Sequence, residues 1–193
     1  MISILLIRYF QNISLSRYLV VRYNQGMNED VVGRIVRETW EEWSEYETSS
    51  LEVVLRILRA FHFIDHVLVL GETSHGLNPG EFGVLIELRI AGPPYRMTPT
   101  QLYNRSLVTS GGMTGRIDRL ERRGLVYRSP DPDDRRSVLV ALTDSGYELI
   151  EAAAPTHFRD MERLAEGLTS DERGCLAGLL RKLLSHIESS CVQ

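Results

Sequence analysis

Apolar residues recur at helical spacing along most of the chain. Over residues 30–46, Val31, Val32, Ile35, Val36, Trp40 and Trp43 fall at roughly three- and four-residue intervals, which places side chains on one helix face. Thr48, Ser49 and Ser50 offer hydroxyls to cap a second helix, whose stripe is Val54, Leu55, Leu58, Phe61, Ile64 and Leu68 and which ends near Gly71. Asn78 before Pro79 predicts an N-cap followed by proline at the first helical position, where a missing N–H costs nothing. That helix runs through Phe82, Leu85, Ile86 and Ile90 and stops at Gly92-Pro93-Pro94.

Residues 95–97 have room for one bridge of strand. Thr98-Pro99-Thr100-Gln101 has the form of a capping box, and the short helix after it breaks near Tyr103-Asn104-Arg105. Thr109 and Ser110 are expected to cap the next helix, which buries Met113, Ile117 and Leu120 and stops at Gly124. The period then changes. Residues 125–128 and 138–142 read as two short strands around the turn-rich Pro130-Asp131-Pro132-Asp133-Asp134, which leads into Arg135-Arg136. Thr143 and Asp144 cap a long helix over about 145–166, with Pro155 as a site for a kink. Thr169 starts a last helix with Leu176, Leu179, Leu180, Leu183, Leu184 and Ile187, and Cys175 beside them reads as core.

The fold class this predicts is mainly α with a small β-hairpin wing. A winged helix-turn-helix over about 78–142 is flanked by dimerisation helices at about 50–72 and 145–189. Their apolar faces exceed what so small a core can cover, and a second copy of the chain is the economical partner, so a homodimer is expected. Residues 27–47 form an extra N-terminal helix ahead of a main domain over 48–187. Residues 1–26 read as an uncharacterised extension, and Met27 is an alternative start. Residues 1–7 are apolar but lack the basic flank and cleavage site of a signal peptide, and Arg8, Gln11, Asn12 and Arg17 break any membrane span. Cys175 and Cys191 suggest no disulfide framework, and a cytoplasmic location is expected.

Charge sharpens the picture. The net charge of −4 argues at first against nucleic acid, but residues 101–136 hold eight arginines against five acids. Residues 27–60 and 137–193 each carry −4, so a basic block stands between two acidic ones, and local charge sets attraction to phosphate. The block coincides with the predicted recognition helix. Opposite its buried side lie Ser110, Gly112, Thr114, Gly115, Arg116 and Arg119. Arg116 can pair with guanine O6 and N7, and Thr114 can meet a base edge or a thymine methyl. Glycines weaken a helix by about 1 kcal/mol each, so Gly111, Gly112 and Gly115 suggest close approach, to a phosphate or to a neighbouring helix. Arg135 and Arg136 on the wing are placed for the electronegative minor groove, with one of the nearby aspartates expected to pair with an arginine and orient the loop. The DNA-contact set is therefore Ser110, Gly112, Thr114, Arg116, Arg119, Arg135 and Arg136.

An enzyme reading competes through His62-Phe63-Ile64-Asp65-His66. Histidines four apart share a helix face and could bind zinc, either in a metal-responsive regulator or in a zinc-dependent hydrolase. No Ser-His-Asp signature, phosphate loop or dinucleotide fingerprint appears, so neither an enzyme nor a cofactor is expected.

The segment Val108-Thr109-Ser110-Gly111-Gly112-Met113-Thr114-Gly115-Arg116-Ile117-Asp118-Arg119-Leu120-Glu121-Arg122-Arg123-Gly124-Leu125-Val126, the wing Asp133-Asp134-Arg135-Arg136 and the run Leu142-Thr143-Asp144-Ser145-Gly146 resemble the MarR family of bacterial winged-helix regulators. The first is similar to the recognition helix, the second to the D-x-R wing and the third to the L-T-x-x-G entry into the dimer helix. The resemblance covers about residues 48–187 and implies a dimeric, ligand-responsive DNA-binding regulator. Residues 30–48, Phe63-Ile64-Asp65-His66, Pro79-Gly80-Glu81-Phe82 and Gly92-Pro93-Pro94-Tyr95 further resemble the urate-responsive, PecS-like branch. This implies a repressor released by a small aromatic anion, urate or a phenolic compound. Trp40 or Trp43 would stack on it, Asp65 would accept a ring N–H and Arg96 would face the anionic oxygen.

Overall fold

Helix α1 spans Val31–Glu42 and opens on Asp30, whose Oδ1 accepts the Gly33 N–H at 2.7 Å. The computed structural model describes residues 30–105, 112–132, 134 and 136–191. These fall into two compact units that divide between residues 59 and 60. Among the described residues of the first, Val32 and Leu55 are the buried apolar ones. Arg56 donates to Asp30 at 3.1 Å and to Glu52 at 2.8 Å. Helix α2 covers Ser49–Thr73, and the unit boundary falls within it.

The second unit is built around α3 (Pro79–Ile90). Asn78 Oδ1 accepts the Glu81 N–H at 3.0 Å and the Glu81 carboxylate reaches back to the Asn78 N–H, so the predicted N-cap is a reciprocal capping box. Phe82, Val84, Leu85 and Leu88 put this helix at the centre of the core. A loop through Gly92 and the cis Pro93–Pro94 bond leads to β1 (Arg96–Met97). Helix α4 (Pro99–Arg105) starts from a second reciprocal box, Thr98 with Gln101. Helix α5 (Met113–Arg122) follows, then β2 (Val126–Pro130) and β3 (Val138–Leu142). The sheet order is β1-β3-β2, antiparallel throughout, with Val126 opposite Leu142 and Met97 opposite Val140. The hairpin β2–β3 is the predicted wing, and the short bridge at 95–97 is its third strand.

Helix α6 (Asp144–Ala165) continues through Pro155, and α7 covers Ser170–Cys191. The entry into α6 explains its glycine. Thr143 Oγ1 accepts the Gly146 N–H at 3.0 Å and donates to the Gly124 carbonyl at 2.7 Å. This draws Gly146 so near β2 that a Cβ there would overlap the Leu125 carbonyl oxygen and stand 2.9 Å from its carbon. Ile150 and Ala153 then reach the core. On α7, Leu176, Leu179, Leu184 and Ile187 are exposed, as are Phe158, Met161 and Leu164 on α6 and Phe61, Phe63, Ile64 and Leu70 on α2. Cys175, expected in the core, is exposed too, because the apolar stripe beside it has no cover among the described residues.

Where α2 meets α6, Glu72 is 5% exposed and its Oε1 lies 3.4 Å from Nδ1 of His157, which stacks on Phe82. Burial, with the negative charge of Asp65 adding, pushes the Glu72 carboxyl up to about 7. Burial also holds the His157 imidazole below its ordinary value, against the opposing pull of Asp160. His75, at the end of α2, faces Thr156 at 3.1 Å.

Candidate nucleic-acid interface

Helix α5 has two faces. Met113, Ile117 and Leu120 are buried against α3 and α4, as their spacing predicted. The opposite side carries Thr114, which is exposed, and Arg116, which is half-buried. Gly112 occupies the N-cap position and, lacking a side chain, supplies no side-chain cap. The sequence expected capping by Thr109 and Ser110; those two, like Arg135, lie outside the described residues.

The glycines on and facing α5 make room for side chains. A Cβ on Gly80, at the start of α3, would come within 2.5 Å of Arg116 Nε, and one on Gly112 would meet the same guanidinium at 3.4 Å. Arg116 therefore lies across two residues that have no side chain to obstruct it. Gly80 was not among the glycines singled out in the sequence; of those that were, Gly112 and Gly115 face arginines of their own helix, and Gly111 lies outside the described residues.

The basic block is only partly free. Arg105 donates to Glu87 at 2.6 Å. Arg119, expected to contact DNA, donates to Glu81 Oε1 at 3.2 Å, and Arg123 donates to Glu81 Oε2 at 2.9 Å. Arg128 on β2 reaches Asp118 at 2.6 Å and also pairs with Glu121, tying the wing to α5. Arg116, Arg122 and Arg136 have no acidic partner among the described residues. In the wing, Asp134 Oδ1 accepts the backbone N–H of Arg136 at 2.9 Å. This main-chain bond helps to orient the loop; Asp133 and Arg135, two of the residues of the expected aspartate–arginine pairing, lie outside the described residues.

Glu81 is the residue that sequence reading missed. Its signal was an acid at the third position of a helix that is otherwise almost entirely apolar. The sequence reading assigned Asn78 as the cap and gave the Glu81 carboxylate no partner.

The other candidate residues fall in both units. Trp40 and Trp43 are half-exposed in the first unit, while Asp65 on α2 and Arg96 on β1 are exposed in the second. His62 and His66 are exposed on α2. Among the described residues, no group of three or more His, Cys, Asp or Glu could hold a metal ion, so the zinc alternative lacks a third ligand. No described helix is long and apolar enough to cross a membrane.

Residues 75–137 match the MarR family. The chain is 30% identical over 156 residues to the HTH-type transcriptional regulator PecS of Dickeya dadantii, covering 81% of this chain and 94% of that protein. It is 39% identical over 128 residues to the uncharacterised HTH-type transcriptional regulator YkoM of Bacillus subtilis, covering 66% and 81%. Among solved structures it is similar to a MarR family transcriptional regulator from Streptomyces coelicolor in complex with DNA, with a TM-score of 0.66 at 25% identity over 74% of this chain and 94% of that one. It is also similar to a mutant of MarR from E. coli complexed with operator DNA, with a TM-score of 0.60 at 27% identity over 81% and 99%. On the two-faced helix, its paired wing and these likenesses, the chain belongs to the MarR family and is a winged-helix transcriptional regulator, not an enzyme.

Proposed function

We propose that this regulator binds double-stranded DNA as a homodimer, with α5 of each copy in a major groove and the wing at the adjacent minor groove. The observation that carries the reading is the asymmetry of α5. Met113, Ile117 and Leu120 anchor one side, which leaves Thr114 and Arg116 on the side a groove would meet, beside a wing ending in Arg136. Ser110, Gly112 and Arg135 complete the proposed contact set; Arg119, also expected there, is held by Glu81 at 3.2 Å. The uncovered apolar residues of α6 and α7 support the dimer, because a chain rarely leaves so large an apolar surface to water. Selection of bound sequences from genomic DNA tests both. The expected product is an imperfect palindrome with half-sites about 10 base pairs apart, bound by a species that light scattering finds dimeric. No enrichment, or binding by a monomer, overturns the reading.

The regulator is further proposed to act as a repressor released by a small aromatic anion, urate or a phenolic compound. Trp40, Trp43, Asp65 and Arg96 are the candidate contacts, and their exposure leaves each accessible to a ligand.

A further inference from the structure

Resting on the DNA-binding reading, we propose that Glu81 is a positioning residue that sets how sharply the protein discriminates between DNA sequences, not how tightly it binds DNA at large. Its side chain is 6% exposed, and a carboxylate is held out of water only where it is paired and hydrogen-bonded. Both oxygens are used. Oε1 takes Arg119, and Oε2 takes Arg123 and, at 3.4 Å, the Asn78 N–H. Arg119 stands in the last turns of α5 and Arg123 at its C-cap, so one carboxylate clamps that end of α5 to the first turn of α3. The carboxylate's own backbone is fixed in turn by Asn78 Oδ1. The preceding residue, Gly80, carries the side chain of Arg116. The turn Pro79-Gly80-Glu81 thus touches three arginines of α5: 116 over glycine, and 119 and 123 on the carboxylate.

The clamp has two consequences. It fixes the rotation of α5 about its axis, which decides whether Thr114 and Arg116 meet base edges in register. It also holds two cations to an internal acid, where they are withheld from phosphate. Unclamped, they would attach to any duplex and release counterions, which raises affinity without regard to sequence. Specificity is a difference of affinities, so both effects act in one direction.

The test compares the full chain with Glu81→Gln, which keeps the side chain's shape and an oxygen to accept from Asn78. The probes are a duplex carrying the palindrome recovered by genomic selection and a random-sequence duplex of equal length. The expected result is at least a tenfold fall in the ratio of the two affinities, with random-duplex affinity unchanged or higher. The log-affinity against log-salt slope should steepen by about one to two per protomer as the two arginines reach phosphate. A residue that merely supported the fold would lower stability without steepening that slope. If Glu81→Gln does not fold, Arg123→Gln, which alters a side chain 39% exposed, makes the same test. It should lower the ratio with no gain on random DNA. Either folded variant keeping the wild-type ratio overturns the proposal, while a wild-type chain that prefers neither duplex overturns the DNA-binding reading beneath it.

Discussion

At the scale of single residues, the arginines of this protein divide by what holds them. Arg116 lies on glycine and has no acidic partner among the described residues, so it can turn to a base edge without breaking an ion pair. Arg116→Ala should cost on the order of 1–3 kcal/mol on the selected operator and relax preference at one base position. Arg136 sits in a loop set by Asp134, and Arg136→Ala should weaken binding to most sequences with a smaller change in preference. Titrations of both variants against operator and random duplexes separate the two roles, and native affinity in both would refute the assignment of helix and wing. Gly146 is a different kind of residue, because its constraint is backbone overlap. A methyl group there meets the Leu125 carbonyl, which is backbone just before β2, accepts the Thr143 N–H at 3.1 Å and cannot swing aside as a side chain could. Gly146→Ala should therefore lower stability by about 1–3 kcal/mol, as overpacked sites do, and urea unfolding with an unchanged slope would show it.

At the scale of elements, the contact of α2 with α6 carries a pH dependence. Glu72 in the folded chain holds its proton up to about 7, against an ordinary 4.5. Its contribution to stability is therefore full below about 4.5 and is lost as pH rises towards 7, on the order of 3 kcal/mol. His157 has the opposite sign: the folded chain holds its imidazole neutral, so its contribution is full above its ordinary 6.5 and is lost below that. Asp65 faces this pair from α2 and Asp160 from α6. Thermal unfolding of wild type and Glu72→Gln between pH 4.5 and 8 should show the wild type losing ground to the variant up to about pH 7 and running parallel above it. A constant difference across the range would mean that Glu72 is ionised throughout. None of this pair was legible in the sequence, because Glu72 and His157 are joined only by the packing of distant helices. What could be read were the local signals. Asn78 with Glu81, Thr98 with Gln101 and Thr169 with Glu172 all form reciprocal caps. Met113, Ile117 and Leu120 point inward as their spacing demands. Arg119 shows where such reading stops: its type and position on the outward face suggested DNA, while Glu81, 38 residues earlier in the chain, holds it. Cys175 was misread for the same reason, since an apolar stripe indicates burial but not which molecule supplies the cover.

At the scale of the whole molecule, regulation requires that an effector distinguish free protein from DNA-bound protein, since equal affinity for both would shift nothing. A tenfold loss of DNA affinity corresponds to about 1.4 kcal/mol of coupling, and the same factor must appear as weaker effector binding when DNA is present. That reciprocity gives the test its form. Trp40 and Trp43 are half-exposed, so a flat aromatic anion stacking on either should quench tryptophan fluorescence directly. Urate is the expected ligand, and salicylate and related phenolates are the comparison set. Titrated into the preformed protein–DNA complex, urate should release the duplex, and it should quench the free protein at lower concentration than the complex by the same factor. Asp65→Asn and Arg96→Ala should each weaken both readouts together, because each removes a proposed polar partner of the anion, and neither residue lies on α5 or on the β2–β3 hairpin. Quenching without release would mean a bound ligand with no coupling, and release without quenching would move the site away from the tryptophans. Failure of urate and all the phenolates at millimolar concentration, with the fold intact, would leave a DNA-binding regulator whose signal belongs to another chemical class.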